Sequence, residues 1–163
     1  MAEEAPLPRA ALAMAALVEC VCTEVTEVAP LCYCGPMFGG DVPLDHCGSC
    51  EDGACGQAWV RLVQAYPSSS FPDPDQSGNC RMPLAYEWEV GVARCAPTVD
   101  ETGTMPTRDE NLAVTIQQYA DMEAMRRAIS CCFGVDDDYI LGAYTPGVVL
   151  GGCNVATWQV WSR

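Results

Sequence analysis

Apolar residues recur every three or four positions in two segments of the chain, which predicts two amphipathic helices. The first helix is predicted over residues 7–28 and ends before Pro30. Glu19, Glu24 and Glu27 fall mostly on its polar side. Its apolar stripe consists of Ala10, Met14, Leu17, Val21, Val25 and Val28.

The second predicted helix begins near Thr107, which forms a T-x-x-E capping box with Glu110. Gly134 marks its C-terminal end. Because an apolar stripe on a helix is normally covered, we expect the stripes of both helices to be buried. The second stripe consists of Leu112, Ile116, Tyr119, Met122, Met125, Ile129 and Phe133.

Four segments have the composition of strands. Residues 58–66 are rich in apolar and aromatic side chains. Residues 84–95 alternate between larger apolar side chains and small or acidic ones, which is typical of a half-buried antiparallel strand. Residues 139–145 and 153–161 predict two closing strands, and their link through Pro146 is long for a tight hairpin.

The predicted order is therefore α-β-β-α-β-β within a single domain spanning residues 1–163. We expect an α+β fold in which one antiparallel sheet carries both helices on one face. Residues 30–57 are rich in proline, glycine and cysteine, and they predict an irregular insertion in this domain. The loop 67–83 has the composition of a flexible arm that could order when a partner docks.

Composition narrows the chemistry that this chain can perform. It contains one histidine and no lysine, so a lysine nucleophile, a P-loop or a site with two histidines is impossible. The formal net charge is −14, which argues against a protein that grips nucleic acid. An acidic wall could still surround DNA without holding it, because it repels the phosphate backbone. We expect no enzymatic activity and no cofactor.

The cysteine content raises the question of where the protein works. There are 12 cysteines in 163 residues, but the N-terminal segment lacks the basic start of a secretory signal. No run reaches the ~18 apolar residues of a membrane span. We therefore expect a soluble chain made in a reducing cytoplasm, whose thiols could oxidise later if a finished particle leaves the cell.

The sharpest cysteine cluster lies in the insertion 30–57. Cys47 and Cys50 have the C-x-x-C spacing of half a zinc knuckle. The spacing of Cys32 and Cys34 does not supply the other half. Disulfides or free structural thiols, a zinc site, and a redox motif are the open interpretations, and the breaker-rich surroundings favour the first. The candidate zinc ligands are Cys32, Cys34, Cys47, Cys50 and Cys55.

Two further groups could carry chemistry, although each has a simpler explanation. A catalytic Cys–His pair could use only His46, because the chain has no other histidine. The adjacent Cys47 is badly placed to act as the nucleophile of such a pair. Glu87 and Glu89 share one face of the alternating strand with attachment points ~7 Å apart. Without the signature of a cleft, we expect this face to contact solvent or another subunit. No residue is assigned a catalytic role.

Several stretches resemble neck proteins of long-tailed actinobacteriophages, and tail terminators in particular. Residues 58–72 and 84–97 have the matching strands and turns. The helix that contains Asp121-Met122 and Cys131-Cys132 fits the same pattern, as does the closing segment 151–158. The resemblance covers roughly residues 7–163, and the cysteine-rich insertion departs from it.

The resemblance implies a structural virion protein rather than an enzyme. Subunits of a tail terminator form a ring, normally a hexamer, that ends the tail tube and joins it to the head-side connector. The major tail tube protein and the connector or stopper protein would be its partners. Genomic DNA would pass through without specific binding, and no membrane would be involved. The ring would be assembled in the host cytoplasm and remain in the neck of the virion.

Two alternatives stay open at this point. The chain could form another neck ring, such as a head-to-tail stopper or adaptor, although a stopper would favour a small β-barrel over two long helices. It could also be a small cysteine-rich zinc or redox protein built on residues 32–55.

Overall fold

The computed structural model describes residues 8–48, 50, 53–76, 81–134, 138–150 and 152–163, without the side chains of Val148 and Leu150. The described elements follow the order α-β-β-β-α-β-β. They are α1 (Arg9–Val28), β1 (Tyr33–Pro36), β2 (Gln57–Pro67), β3 (Leu84–Cys95), α2 (Arg108–Cys132), β4 (Tyr139–Leu150) and β5 (Cys153–Ser162).

The five described strands form one mixed sheet in the order β1-β2-β3-β5-β4. Strand β1 pairs in parallel with β2, and the other pairs are antiparallel. The predicted α+β class with two helices is confirmed. The purely antiparallel sheet and the order α-β-β-α-β-β were wrong, because residues 30–57 contain β1. This strand has only four residues, including Gly35 and Pro36, and therefore shows no alternation.

Both helices pack on one face of the sheet, which we call the inner face. Leu17, Val21 and Val25 of α1 are buried, as predicted from the stripe of this helix. They meet Met125 and Ile129 of α2 in a core of fourteen buried apolar residues within the described ranges. Trp88, Val90, Val92, Ala156 and Val160 are among the strand residues that complete this core.

The opposite face of the sheet, the outer face, is covered at one end by the cysteine-rich segment 30–57, which we call the cap. Trp59 is buried beneath the cap together with Ala93 and Cys153. The indole of Trp59 lies so close to Gly91 that a β-carbon at this position would overlap it. Strand β3 is therefore buried on both faces near its C-terminal end, and the predicted half-buried strand was wrong there.

The closing strands are longer than predicted and form a tight hairpin. Leu150 pairs with Cys153, and Gly152 lies between them at a φ of 82°. Pro146 lies within β4 rather than in the connection. A proline is tolerated there because β4 is an edge strand, and a register shift follows between Pro146 and Val149.

The two helices are antiparallel and overlap over only part of their length. Cys20 of α1 is bonded to Cys132 of α2, and Glu24 pairs with Arg127. The C-terminal end of α1 consequently lies near Asp121, so the first half of α2 extends beyond it. The predicted burial of the whole α2 stripe was therefore wrong. Its first three members are exposed, at 52% for Leu112, 60% for Ile116 and 58% for Tyr119.

Candidate functional site

Ten of the cysteines form five disulfides. The Cα–Cα distances lie between 5.4 and 6.2 Å, within the range that disulfides require. Four of the bonds hold the cap, and the fifth joins the helices. The pairs are Cys20–Cys132, Cys22–Cys34, Cys32–Cys50, Cys47–Cys153 and Cys55–Cys95.

This pairing separates the five candidate zinc ligands. Cys32 and Cys50 bond to each other, while Cys34, Cys47 and Cys55 bond to three cysteines outside the cap. In this oxidised form none of the five is a thiolate that could bind a metal. Within the described residues, no group of three or more His, Cys, Asp or Glu side chains could hold a metal ion.

The remaining cysteines and the histidine also have definite places. Cys131 is a free, exposed thiol at the end of α2, next to bonded Cys132. Cys80 lies outside the described residues. The ring of His46 stacks on Tyr33 with centroids 5.5 Å apart. Since Cys47 is in a disulfide, the Cys–His pair considered from the sequence has no thiol in this form.

A buried ion pair connects the sheet to both helices. Arg94 on β3 donates two hydrogen bonds to the Asp121 carboxylate of α2, at 2.8 and 3.0 Å. It also donates to the carbonyls of Val25, Ala29 and Pro30 at the end of α1. Burial raises the pKa of the Asp121 carboxyl, while the Arg94 guanidinium opposes that rise. The arrangement fastens the C-terminal end of α1 and the middle of α2 to the sheet.

A second ion pair lies on the outer face. Arg61 on β2 binds the Glu89 carboxylate of β3 through two hydrogen bonds of 2.7 and 3.0 Å. Trp59 adds a third bond to Glu89, at 3.0 Å. Burial alone would raise the pKa of Glu89, but the bonds from Arg61 and Trp59 hold it below its usual value. Arg61 also donates to the carbonyls of Gly39 and Gly40, and so attaches the cap to the sheet.

Beyond this ion pair, the outer face is open in a groove of about 480 Å³, which we call the outer groove. Its floor is a row of cross-strand neighbours, Gln64, Glu87, Trp161 and Ile140. Gln64 donates a 2.6 Å hydrogen bond to the Glu87 carboxylate. One wall is formed by Tyr66, Pro72 and Pro74. The sequence predicted no groove here. It placed Glu87 on a strand face that contacts solvent or another subunit, without the signature of a cleft.

The wall of the groove is more ordered than the composition of the loop 67–83 suggested. Tyr66 donates a 2.9 Å hydrogen bond to the carbonyl of Pro72, and Asp75 accepts from the backbone N–H and hydroxyl of Ser69. Ser68 donates its backbone N–H to the carbonyl of Pro83. The first part of the predicted flexible arm is therefore a hydrogen-bonded loop, while residues 77–80 lie outside the described ranges.

The helix layer presents two more uncovered surfaces. The first is the exposed stripe of Leu112, Ile116 and Tyr119 on the part of α2 that extends beyond α1. The second is the N-terminal half of α1, where Leu12 is 54% exposed and its exposed neighbours are alanines and Arg9. These two surfaces lie at opposite ends of the helix pair because the helices are antiparallel and staggered. Within the described ranges, neither helix is long and apolar enough to cross a membrane.

Comparison with known proteins assigns this chain to no family. No protein-family model matches the sequence, and no curated protein matches it significantly.

Proposed function

We propose that this chain is a non-enzymatic subunit of a ring in the neck of a long-tailed bacteriophage, most similar to a tail terminator. The ring, normally a hexamer in such proteins, ends the tail tube, joins it to the head-side connector and lets DNA pass. The major tail tube protein and the connector protein are its partners in this proposal. Another neck ring, such as an adaptor, would use the same kind of subunit.

The stagger of the two helices is the observation that carries this proposal. Leu112, Ile116 and Tyr119 form an exposed apolar stripe on the part of α2 that extends past the C-terminal end of α1. Among the described elements, no helix covers the solvent-exposed side of α1 around Leu12. We infer that α1 of one copy fills the space beside α2 of the next copy.

Such a contact joins two different surfaces of the subunit, which makes it heterologous. Heterologous contacts form closed rings when the rotation between neighbours divides a full turn, and open filaments when it does not. Burying the α2 stripe would also remove three large apolar side chains from water, which favours association.

The charge and the disulfides support a virion protein that surrounds DNA. A net charge of −14 disfavours tight contact with phosphates, which suits a conduit through which DNA must slide. Five disulfides suit a protein that functions outside a reducing cell. A phage subunit made in the host cytoplasm meets that condition once the particle is released.

The mass of the purified protein in solution tests this proposal. We expect a single closed oligomer, whose mass is a multiple of 17.5 kDa if the chain assembles alone, and is that of the ring plus the bound tube protein if it assembles only with the tail tube protein. Ile116→Asp should convert the oligomer to monomer without unfolding it, because this side chain is already exposed within the subunit. Phe38→Asp is the matched control, since Phe38 is 96% exposed on the cap.

Two results would count against parts of the proposal. A monomer at every concentration, with and without the tube protein, would contradict the ring. A ring that survives Ile116→Asp but is lost in Phe38→Asp would retain the ring and move the contact from the helices to the cap.

A further inference from the structure

The two carboxylates on the outer face have very different surroundings. Glu89 is neutralised by Arg61, which binds both of its oxygens. Glu87 lies two residues away on the same face and is only 8% exposed, yet its one described partner is the neutral amide of Gln64. Among the described residues, no arginine or histidine forms an ion pair with Glu87.

A carboxylate this deeply buried is normally paired with a cation or a metal ion, because burial removes much of its hydration. The side chains around Glu87 indicate whether its partner is a metal ion or an organic cation. Ca²⁺ and Mg²⁺ require about six oxygen ligands, whereas the groove offers Glu87, the amide oxygen of Gln64 and otherwise mostly aromatic and proline surfaces. An organic cation fits these surroundings better than a metal.

The aromatic groups specify the kind of organic cation. Trp161 is the cross-strand neighbour of Glu87, and Tyr66 stands in the wall beside it. A guanidinium is planar and weakly hydrated, so it can stack on an indole or phenol ring while it donates two hydrogen bonds to one carboxylate. A lysine ammonium is compact and strongly hydrated, and it gains less from such walls. Burial, followed by the Glu87 charge, raises the pKa of the Tyr66 hydroxyl, as expected if this charge faces the groove.

We propose that the outer groove binds an arginine side chain presented by a short segment of a partner protein, with Glu87 as the anion, and with Trp161 in the floor and Tyr66 in the wall as stacking surfaces. The net charge of −14 favours such a basic partner. The groove volume of about 480 Å³ accommodates one long side chain and its flanking backbone. This inference does not require a ring and goes beyond the proposed function.

The test is calorimetric titration of the full-length oxidised protein at low salt with three peptides, acetyl-Gly-Ser-X-Ser-Gly-amide, in which X is arginine, citrulline or lysine. We expect saturable binding of the arginine peptide, at least tenfold weaker binding of the citrulline peptide and several-fold weaker binding of the lysine peptide. Citrulline has nearly the same shape as arginine without its charge. Equal binding of arginine and citrulline, or no binding of the arginine peptide, would overturn the proposal.

Two variants locate the binding to the groove. Glu87→Gln keeps the side-chain shape and its hydrogen bond to Gln64, and it should weaken the arginine peptide at least tenfold. Glu89→Gln is the matched control, because it changes the net charge equally but Glu89 does not line the groove, and it should change the affinity less than twofold. Equal effects of the two variants would contradict the assignment. If Glu87→Gln fails to fold, the comparison of peptides on the unaltered protein still decides the question.

The solution mass of Glu87→Gln distinguishes a partner protein from a second copy of this chain. We expect its oligomeric state to equal that of the unaltered protein. If Glu87→Gln instead dissociates the oligomer, the arginine belongs to a neighbouring copy and the assignment to a partner protein is wrong. Failure of the ring proposal would appear as a monomer in both proteins, so the two failures can be told apart.

Discussion

The inner and outer faces of the sheet are covered in two different ways. On the inner face, two helices bury fourteen apolar residues of the described chain and one fully hydrogen-bonded ion pair. On the outer face, the cap buries a smaller cluster of described residues, Trp59, Ala93 and Cys153, with further apolar side chains partly buried against it. Three disulfides attach the cap to α1, β3 and β5, and a fourth lies within the cap. Because this cluster is small, covalent bonds supplement apolar burial there.

The largest effect on the outer face is expected when the cap is released from β5. Cys47 and Cys153 are 106 residues apart in the sequence, but the other disulfides shorten the covalent path between them to about 30 residues. Loss of this bond relaxes the unfolded chain and costs about 3.6 kcal/mol. Replacing both cysteines by alanine should therefore lower the free energy of unfolding by about that amount in guanidinium denaturation without reductant. Cys131→Ser is the control and should have no effect, since Cys131 is free and exposed. A loss below about 1 kcal/mol would mean that packing, rather than the disulfide, holds the cap.

The inner face should respond most strongly to loss of Asp121. Asp121→Ala leaves the Arg94 guanidinium buried without its anion, which should cost about 4 kcal/mol in the same denaturation experiment. Glu123→Ala removes an ion pair on the exposed side of the same helix and should cost less than about 0.5 kcal/mol. Similar losses in the two variants would show that the Arg94–Asp121 pair does not fasten the helices to the sheet.

The sequence allowed the helices and most strands to be predicted because their patterns are local. The capping box of Thr107 and Glu110 is present at the start of α2, and β3 has the predicted bounds. Strand β1 could not be predicted, because four residues without alternation become a strand only through parallel pairing with residues more than twenty positions away. The exposure of Ile116 was missed for a similar reason, since periodicity reports a stripe but not whether another helix reaches it.

The candidate surfaces were less accessible to sequence reasoning than the fold. Disulfides or free structural thiols were the favoured interpretation of the cap cysteines, but twelve cysteines allow too many connectivities for a pairing to be deduced. The contrast between Glu87 and Glu89 depends on Arg61 lying opposite one of them, which follows from the register of β2 and β3. A bulge between Leu62 and Gln64 changes that register, and no pattern of residues in the sequence predicts this bulge.

A smaller effect is expected from filling the space above Gly91. Gly91→Ala places a methyl group against the Trp59 indole and should destabilise the cap by about 2 kcal/mol, because a packed cluster must shift to accept it. Amide hydrogen exchange should increase in the cap and remain unchanged in α2. Faster exchange in α2 would show that the two faces of the sheet are not independent, against the comparison drawn above.

The smallest effect concerns the pH dependence of the outer face. The pKa of Glu89 is lower in the folded protein than its ordinary value of 4.5, so the stability it contributes is present above that value. This stability is lost as the pH falls through the folded pKa. Glu89→Gln should therefore cost about 1 kcal/mol at pH 7 and progressively less below pH ~4.5. A cost that does not change between pH 7 and pH 3 would contradict the ion pair with Arg61.

A reconstruction of the assembled ring or of the virion neck, at a resolution that traces the chain, tests the central claim most directly. We predict repeated copies around an axis, with the α2 stripe of Leu112, Ile116 and Tyr119 packed against the N-terminal half of α1 from the next copy. The result that would contradict this account is a subunit without neighbouring copies of itself, or a ring in which this stripe faces solvent.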